Sequence, residues 1–153
     1  MSTTAETSGA SLSHIRSARP GDTETIFALL EQLAKSYTPD RVAFDQNIGS
    51  FLGDDPGSLL LVAEDAAGQV RGYALTTINS LLHTNGRSAQ LQELVVDEQV
   101  KGTGIGTRLI EELERICRDR GVKQLTVPSR RAASFYERLG YQSTADFLKK
   151  TFD

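Results

Sequence analysis

The chain carries one cysteine, Cys117, so no intrachain disulfide can form. Histidine is nearly as scarce. His14 and His83 are isolated and give no ligand spacing, so no metal is expected. Positive charge is not in excess: 17 Lys and Arg face 20 Asp and Glu, for a net charge of −3. A basic patch is the usual footprint of nucleic-acid binding, so nucleic acid is not an expected partner. Long apolar runs are missing too. The longest aliphatic stretch, residues 59–63, is far too short to cross a bilayer, so no membrane partner is expected. The opening MSTTAETSGASL lacks the basic start and apolar centre of a secretory signal. Residues 1–13 are therefore expected to form a disordered polar tail, and the cytoplasm is the expected compartment.

What remains is ordinary globular material. With 153 residues, 39% apolar and 24% charged, the chain suits one soluble domain over 14–153 with a core of its own. A short strand is expected at 15–18, and Pro20-Gly21-Asp22 turns the chain, with Asp22 as a helix cap. Ile26, Leu29, Leu30, Leu33 and Tyr37 recur at helical spacing, so a helix is expected up to Tyr37. A weaker helix follows over 40–52. Strands at 59–64 and 70–78 flank the turn Ala66-Ala67-Gly68 and read as a hairpin. Residues 80–86 read as a polar loop, and 89–96 as a central strand with apolar residues on both faces. The clearest helix spans 104–120, with Ile105, Leu109, Ile110, Leu113, Ile116 and Cys117 on its buried stripe. A strand at 124–127, a helix at 130–139 and a last strand at 141–151 complete the order β-α-α-β-β-β-α-β-α-β, an α/β fold with a mixed sheet.

The most informative stretch is 94–106, LVVDEQVKGTGIG. Alternating glycines at the mouth of an amphipathic helix let backbone approach a ligand. Unpaired N–H groups and the helix dipole there favour an anion, most naturally phosphate. A P-loop needs Lys then Ser or Thr after its last glycine, and here Thr107 and Arg108 follow Gly106. The dinucleotide fingerprint counted from Gly102 would need glycine at 107, where Thr107 stands. A third pattern, Q/R-x-x-G-x-G/A between a strand and a long helix, fits Lys101-Gly102-Thr103-Gly104-Ile105-Gly106, with Lys in the Gln/Arg place.

At this loop the chain resembles the GCN5-related N-acetyltransferase (GNAT) family, whose signature for the pyrophosphate of acetyl-CoA this is. The stretch SRRAASFYERLGY at 129–141 resembles the family's second motif, through Ala132, Phe135, Tyr136, Glu137, Arg138, Gly140 and Tyr141. The Asn that usually opens that motif is Ser129 here. Residues 15–22, IRSARPGD, resemble the family's first strand and turn, so the resemblance extends over about 14–152. It implies a single-domain GNAT-like fold over 14–153, a mixed and mostly antiparallel central sheet flanked by helices. It also implies acetyl-CoA as co-substrate, an amine acceptor and no metal.

Acetyl transfer from a thioester to an amine needs a deprotonated nucleophile, donors for the oxyanion, and a proton or stabilisation for the leaving thiolate. The resemblance puts Tyr136 in the acid role, and a phenol of pKa about 10 is protonated at neutral pH. The competing reading is a half-buried aromatic beside Phe135. The resemblance implies main-chain coenzyme contacts at Leu94, Val95 and Val96. It implies phosphate contacts at Lys101, Gly102, Thr103, Gly104, Ile105, Gly106 and Thr107, with Ser129 in the place of a further coenzyme-binding Asn. Arg131 is readable as a contact to another coenzyme phosphate or as a solvated surface residue. Thr103 and Thr107 are equally readable as helix caps. Glu93, between Leu91 and Val95 at period two, is the candidate base or amine-binding group, and a structural hydrogen-bond partner otherwise. Gln92, Ser88 and His83 are weaker candidates. Cys117 in a buried stripe reads as core rather than as an acetyl carrier.

The resulting expectation is an acetyl-CoA-dependent N-acetyltransferase acting on a primary amine by direct attack. A small-molecule acceptor is preferred over a protein, and a mildly acidic chain would not repel a cationic amine. The alternative is a non-catalytic module that binds and senses acyl-CoA. Dimers are frequent in the resembling family, which leaves a homodimer open.

Overall fold

The computed structural model describes residues 14–34, 37–129 and 132–152. Five strands make one sheet in chain order: β1 (His14–Ser17), β2 (Ser58–Glu64), β3 (Val70–Leu81), β4 (Gly86–Val96) and β5 (Gln124–Thr126). The first four run antiparallel to their neighbours, and β5 joins β4 in parallel. The helices are α1 (Thr23–Leu33), α2 (Arg41–Ile48), α3 (Ile105–Asp119) and α4 (Ala133–Arg138). This is the mixed sheet that the sequence pattern predicts, mostly antiparallel and flanked by helices as the family resemblance implies.

The sheet is covered on both sides, which is why β2 reads as the unbroken run Leu59, Leu60, Leu61, Val62, Ala63. Alternate side chains go to opposite layers. Leu60, Val62, Tyr73 and Val95 pack with Ile26 and Leu29 of α1, and Phe44 and Ile48 of α2 join that layer. Leu59, Leu61, Ala74 and Leu91 pack with Leu109, Ile110, Leu113 and Cys117 of α3 and with Tyr136 of α4. The α3 stripe recurs at three and four residues, so one face is apolar while Arg115 pairs with Glu112 and Asp119 on the wet face.

One irregularity controls the site. Leu75 is opposite Glu93 but Thr76 is opposite Leu91, so Gln92 is an extra residue in β4. The bulge reverses which face each later residue meets. Leu91 lies in the α3 layer, whereas Val95 lies in the α1 layer. The expected period-two face shared by Leu91, Glu93 and Val95 is thereby corrected, because Glu93 shares its face with Val95 alone.

Other expectations are also corrected. Residues 141–151 form no strand: Tyr141 closes a turn onto the Tyr136 carbonyl, and 142–152 have no regular secondary structure. The first helix stops at Leu33 rather than Tyr37. Asp22 makes no side-chain cap to α1. Its carboxylate takes a two-pronged hydrogen bond from Arg16, at 2.8 and 2.9 Å, and another from the Arg19 N–H at 2.7 Å. The guanidinium of Arg16 also reaches Glu64, so this ion group ties β1, β2 and the turn before α1 together. The polar loop expected at 80–86 is shorter than that: β3 runs to Leu81, β4 starts at Gly86, and only 82–85 turn.

Candidate functional site

The loop between β4 and α3 is built on Asp97. Its carboxylate accepts from the Gln99 N–H at 3.1 Å and from Arg71 at 2.9 Å, and Gln32 of α1 approaches it at 3.5 Å. Gln32 also accepts the Glu98 N–H at 3.0 Å. The Gln99 hydrogen bond first, then Arg71, hold the Asp97 carboxyl below the usual carboxylate range. The strand end, α1 and the start of the glycine loop are thereby locked to one another. The composition of the turn gives no hint of this role.

Beyond that lock lie Lys101, Gly102, Thr103 and Gly104, all exposed. Gly102 and Gly104 have φ of +83° and +91°, a region that favours glycine. A Cβ at either would meet nothing within 4 Å, so open space lies in front of both. The helical ladder of α3 begins with Arg108 N–H to Gly104 carbonyl, which leaves the N–H groups of Ile105, Gly106 and Thr107 outside it. Among the described residues no side chain caps α3, and Thr103 instead donates its hydroxyl to the Val100 carbonyl at 2.6 Å. Neither Thr103 nor Thr107 is the helix cap that their positions allow. An uncapped helix N-terminus with open space before it fits a pyrophosphate. Gly106 serves packing: a Cβ there would touch Phe135 and Val96 at an ordinary 3.6 Å.

The same loop borders a gap in the sheet. β4 pairs with β5 only through Ser88, Ala89 and Gln90, and the two strands part beyond that point. Asp97 donates its N–H to Arg71 of the β3 side, and Val95 is in the same register opposite Tyr73. By the alternation of an antiparallel pair, Val95 turns its backbone groups toward β3, whereas Leu94 and Val96 turn theirs toward the gap. Tyr136 packs in the same layer as Leu94 and Val96. Its ring meets Phe135 and Tyr141 edge-on, with centroids 4.9 and 5.9 Å away. Burial pushes its phenol up to about 12. Among the described residues its hydroxyl has no hydrogen-bond partner, whereas Tyr141 donates to Glu114 at 2.6 Å.

On the opposite face of the same strand segment lies a cavity of about 600 Å³. Leu30, Phe44, Ile48 and Phe51 form its apolar wall, and Glu93 and Tyr73 line it from the sheet. Tyr73 donates to Glu93 Oε1 at 2.8 Å. Burial first, then the Glu93 charge, raise the Tyr73 phenol far above its ordinary value. Tyr37 at the cavity is raised by the same two causes. The sequence marks neither tyrosine as a site residue, because only the strand register and the packing of α2 bring them to the cavity that Glu93 lines.

The weaker candidates have structural positions. Gln92 is exposed at the bulge and donates to Thr77, and Ser88 is buried and accepts from Gln124. His83 is exposed in the 82–85 turn. Cys117 is buried in the α3 stripe, and burial pushes its thiol up, away from reactivity. Ser129 accepts the Ala132 N–H at 3.2 Å and so shapes the entry to α4. Arg131 and the tail at 1–13 lie outside the described residues. Among the described residues no cluster of His, Cys, Asp and Glu could hold a metal, and no helix is long and apolar enough to cross a membrane.

Comparison with known proteins bears on the family and the fold. Residues 56–143 match the family model described as an acetyltransferase (GNAT) domain. A thialysine N-epsilon-acetyltransferase from Bos taurus is 30% identical over 146 residues, covering 86% of this chain and 85% of that one. A glucosamine 6-phosphate N-acetyltransferase from Oryza sativa subsp. japonica is 28% identical over 116 residues, covering 74% and 70%. Among solved structures, a transcriptional regulator from Bacillus halodurans C-125 superposes with a TM-score of 0.80 at 22% identity, covering 92% of this chain and 99% of that one. The glucosamine-6-phosphate N-acetyltransferase from Arabidopsis thaliana reaches 0.79 at 22% identity with the same coverage. At that identity the likeness is one of fold.

Proposed function

The chain belongs to the GNAT acetyltransferase family, and from that premise we propose that it moves an acetyl group from acetyl-CoA to a primary amine of a small molecule by direct attack. One observation carries the reading. The strand segment Glu93–Val96 offers free backbone to a gap beside a phosphate-ready loop and a protonated tyrosine, and on its other face a carboxylate to an apolar cavity.

Acetyl-CoA supplies the activated thioester. Lys101, Gly102, Thr103, Gly104, Ile105, Gly106 and Thr107 hold its pyrophosphate, mainly through the N–H groups that α3 leaves outside its ladder. Lys101 adds a point charge without the two-pronged grip of arginine. Leu94 and Val96 present backbone groups to the pantetheine and the acetyl oxygen, while Val95 serves the sheet. Ser129 and Arg131 complete the coenzyme contacts.

The proton balance is simple. An ammonium loses one proton to become nucleophilic, and the C–N bond forms as the C–S bond breaks. Of the two remaining N–H protons one stays on the amide, and the sulfur gains one. Net, one proton leaves to solvent. Glu93 receives the ammonium and passes its proton to water. Tyr136 faces the leaving sulfur. Full transfer from a phenol at about 12 to a thiolate of conjugate pKa about 8.5 is uphill by roughly 5 kcal/mol. Its role is therefore a strong hydrogen bond to the developing charge, completed by a proton from solvent.

A homodimer belongs to the same reading. Every position of 142–152 is exposed, including Phe147 at 66%, Leu148 at 92% and Phe152 at 82%. Their sequence favours a strand that finds no pairing among the described residues, and a second copy is the surface proposed to cover it.

Thiol release from acetyl-CoA, with the acetylated amine identified by mass spectrometry across a panel of small amines, tests the reading. Acetylated product is the expected result. Tight acetyl-CoA binding with no product across the panel would favour the acyl-CoA-sensing module instead.

A further inference from the structure

The cavity behind Glu93 is more informative about the acceptor than the fold is. Its lining carries two carboxylates, Glu93 and Asp40, and among the described lining residues no Lys, Arg or His. Asp40 is partly used, since its Oδ1 accepts the Val42 N–H at 2.9 Å and caps α2. Glu93 is half-spent in a different way. Oε1 accepts from Tyr73, and Oε2 has no partner among the described residues. Arg41 is on the outside of the same wall. It is paired with Glu24 and Asp45 and lies over the rings of Phe27 and Phe44, so it is held on the exposed surface of α2.

A carboxylate in a largely apolar recess is costly unless a cation meets it. A phosphate in the same recess would face Glu93 and Asp40 with no cation among the described lining residues, and only the neutral groups of Tyr37, Thr38, Asn47 and Tyr73 to receive it. We propose that this cavity takes a primary alkyl- or arylalkyl-ammonium with no phosphate, its nitrogen on Glu93 and its stem against Leu30, Phe44, Ile48 and Phe51. The inference rests on the transfer reading above and narrows its acceptor class. Tyr73 is a positioning residue: its hydrogen bond fixes one carboxylate oxygen and leaves the other for the ammonium. The cavity volume of about 600 Å³ lies within the roughly 300–1,000 Å³ of small-molecule sites.

The test uses the full chain with acetyl-CoA saturating and four acceptors: hexylamine, phenethylamine, glucosamine and glucosamine 6-phosphate. The two apolar amines are expected to exceed glucosamine 6-phosphate in kcat/KM by about tenfold or more. The phosphate is expected to make glucosamine a poorer acceptor. Glucosamine 6-phosphate as the best of the four, or better than glucosamine, overturns the acceptor assignment while leaving the transfer reading intact. Product from none of them strikes the transfer reading instead. The cavity is then judged by calorimetry with phenethylamine, whose failure to bind wild type overturns it separately.

Glu93→Gln is expected to raise the KM for hexylamine about tenfold, to leave the KM for acetyl-CoA unchanged, and to shift the acid limb of kcat/KM. Tyr73→Phe keeps the carboxylate and shape and is expected to give a smaller rise in the amine KM. Amine KM unchanged in both variants, with only melting temperature lowered, would show that the pair serves the fold and would sink the proposal.

Discussion

Tyr136 shows how burial sets a chemical role. Its hydroxyl has no partner among the described residues although the ring is nearly buried, and the phenol is pushed up to about 12. Such a group stays protonated throughout the neutral range and keeps its O–H available to donate. Tyr136→Phe keeps the edge-on contacts with Phe135 and Tyr141 and deletes that donor. Under conditions where chemistry limits the rate, kcat is expected to fall by roughly 10²-fold, with acetyl-CoA affinity unchanged by calorimetry. Equal kcat in variant and wild type would remove Tyr136 from the reaction and return it to the core. Tyr141 is a useful contrast, since its hydroxyl is spent on Glu114 and is expected to influence stability instead.

At the scale of elements, the glycine loop and α3 act as one unit whose parts have different duties. Gly104 is needed for its left-handed backbone and for the open space before it, whereas Gly106 packs against Phe135 and Val96. Gly104→Asp therefore adds a negative side chain where phosphate is proposed to sit. Aspartate tolerates the left-handed region better than most residues, so the fold survives. Acetyl-CoA affinity measured by calorimetry is expected to drop at least about tenfold, because like charge replaces an N–H-lined opening. Gly106→Ala is expected to bind normally, since the added methyl meets ordinary contacts at 3.6 Å. Equal affinity in Gly104→Asp and wild type, with the folded state verified by circular dichroism, would sink the phosphate assignment.

Over the whole molecule, two carboxylates knit distant elements and set the response to acid. Arg16, above all, holds Asp22 below the usual carboxylate range, and the Gln99 N–H followed by Arg71 does so for Asp97. A depressed folded-state pKa stabilises fully above the unfolded value of about 3.9, and that stabilisation is lost as pH falls through the lower, folded value. The melting temperature is therefore expected to be level from neutral pH to about 5 and to fall steeply below about 4. Asp22→Asn should flatten part of that fall, and an identical acid profile in the variant would discount the Arg16 group. The exposed arm at 142–152 makes a second expectation at this scale. Analytical ultracentrifugation should find a dimer, and Phe147→Ser combined with Leu148→Ser should shift it toward monomer. A monomeric wild type at high concentration would show that the arm stays in water.

The sequence alone determined the layers and the loop, because each is written in local chemistry. The α3 stripe at helical spacing, the doubly buried run of β2, and glycines before an amphipathic helix depend on neighbours within a few residues of one another. What lies on each face of β4 was decided only by tertiary structure. One extra residue, Gln92, turns Glu93 away from the Leu91 layer and toward α1, and a bulge leaves no mark in a hydrophobic pattern that is apolar on both faces. Asp22 illustrates the same limit. Its place before a helix is a capping signal, but Arg16 competes for the carboxylate and wins, since two N–H bonds from a cation outweigh one from a backbone amide. Tyr73 and Tyr37 reach Glu93 only after strands pair and α2 packs. The strand expected at 141–151 failed for the complementary reason: local preference favours an extended chain, but a strand exists only by pairing, and among the described residues this segment pairs with no edge of the sheet.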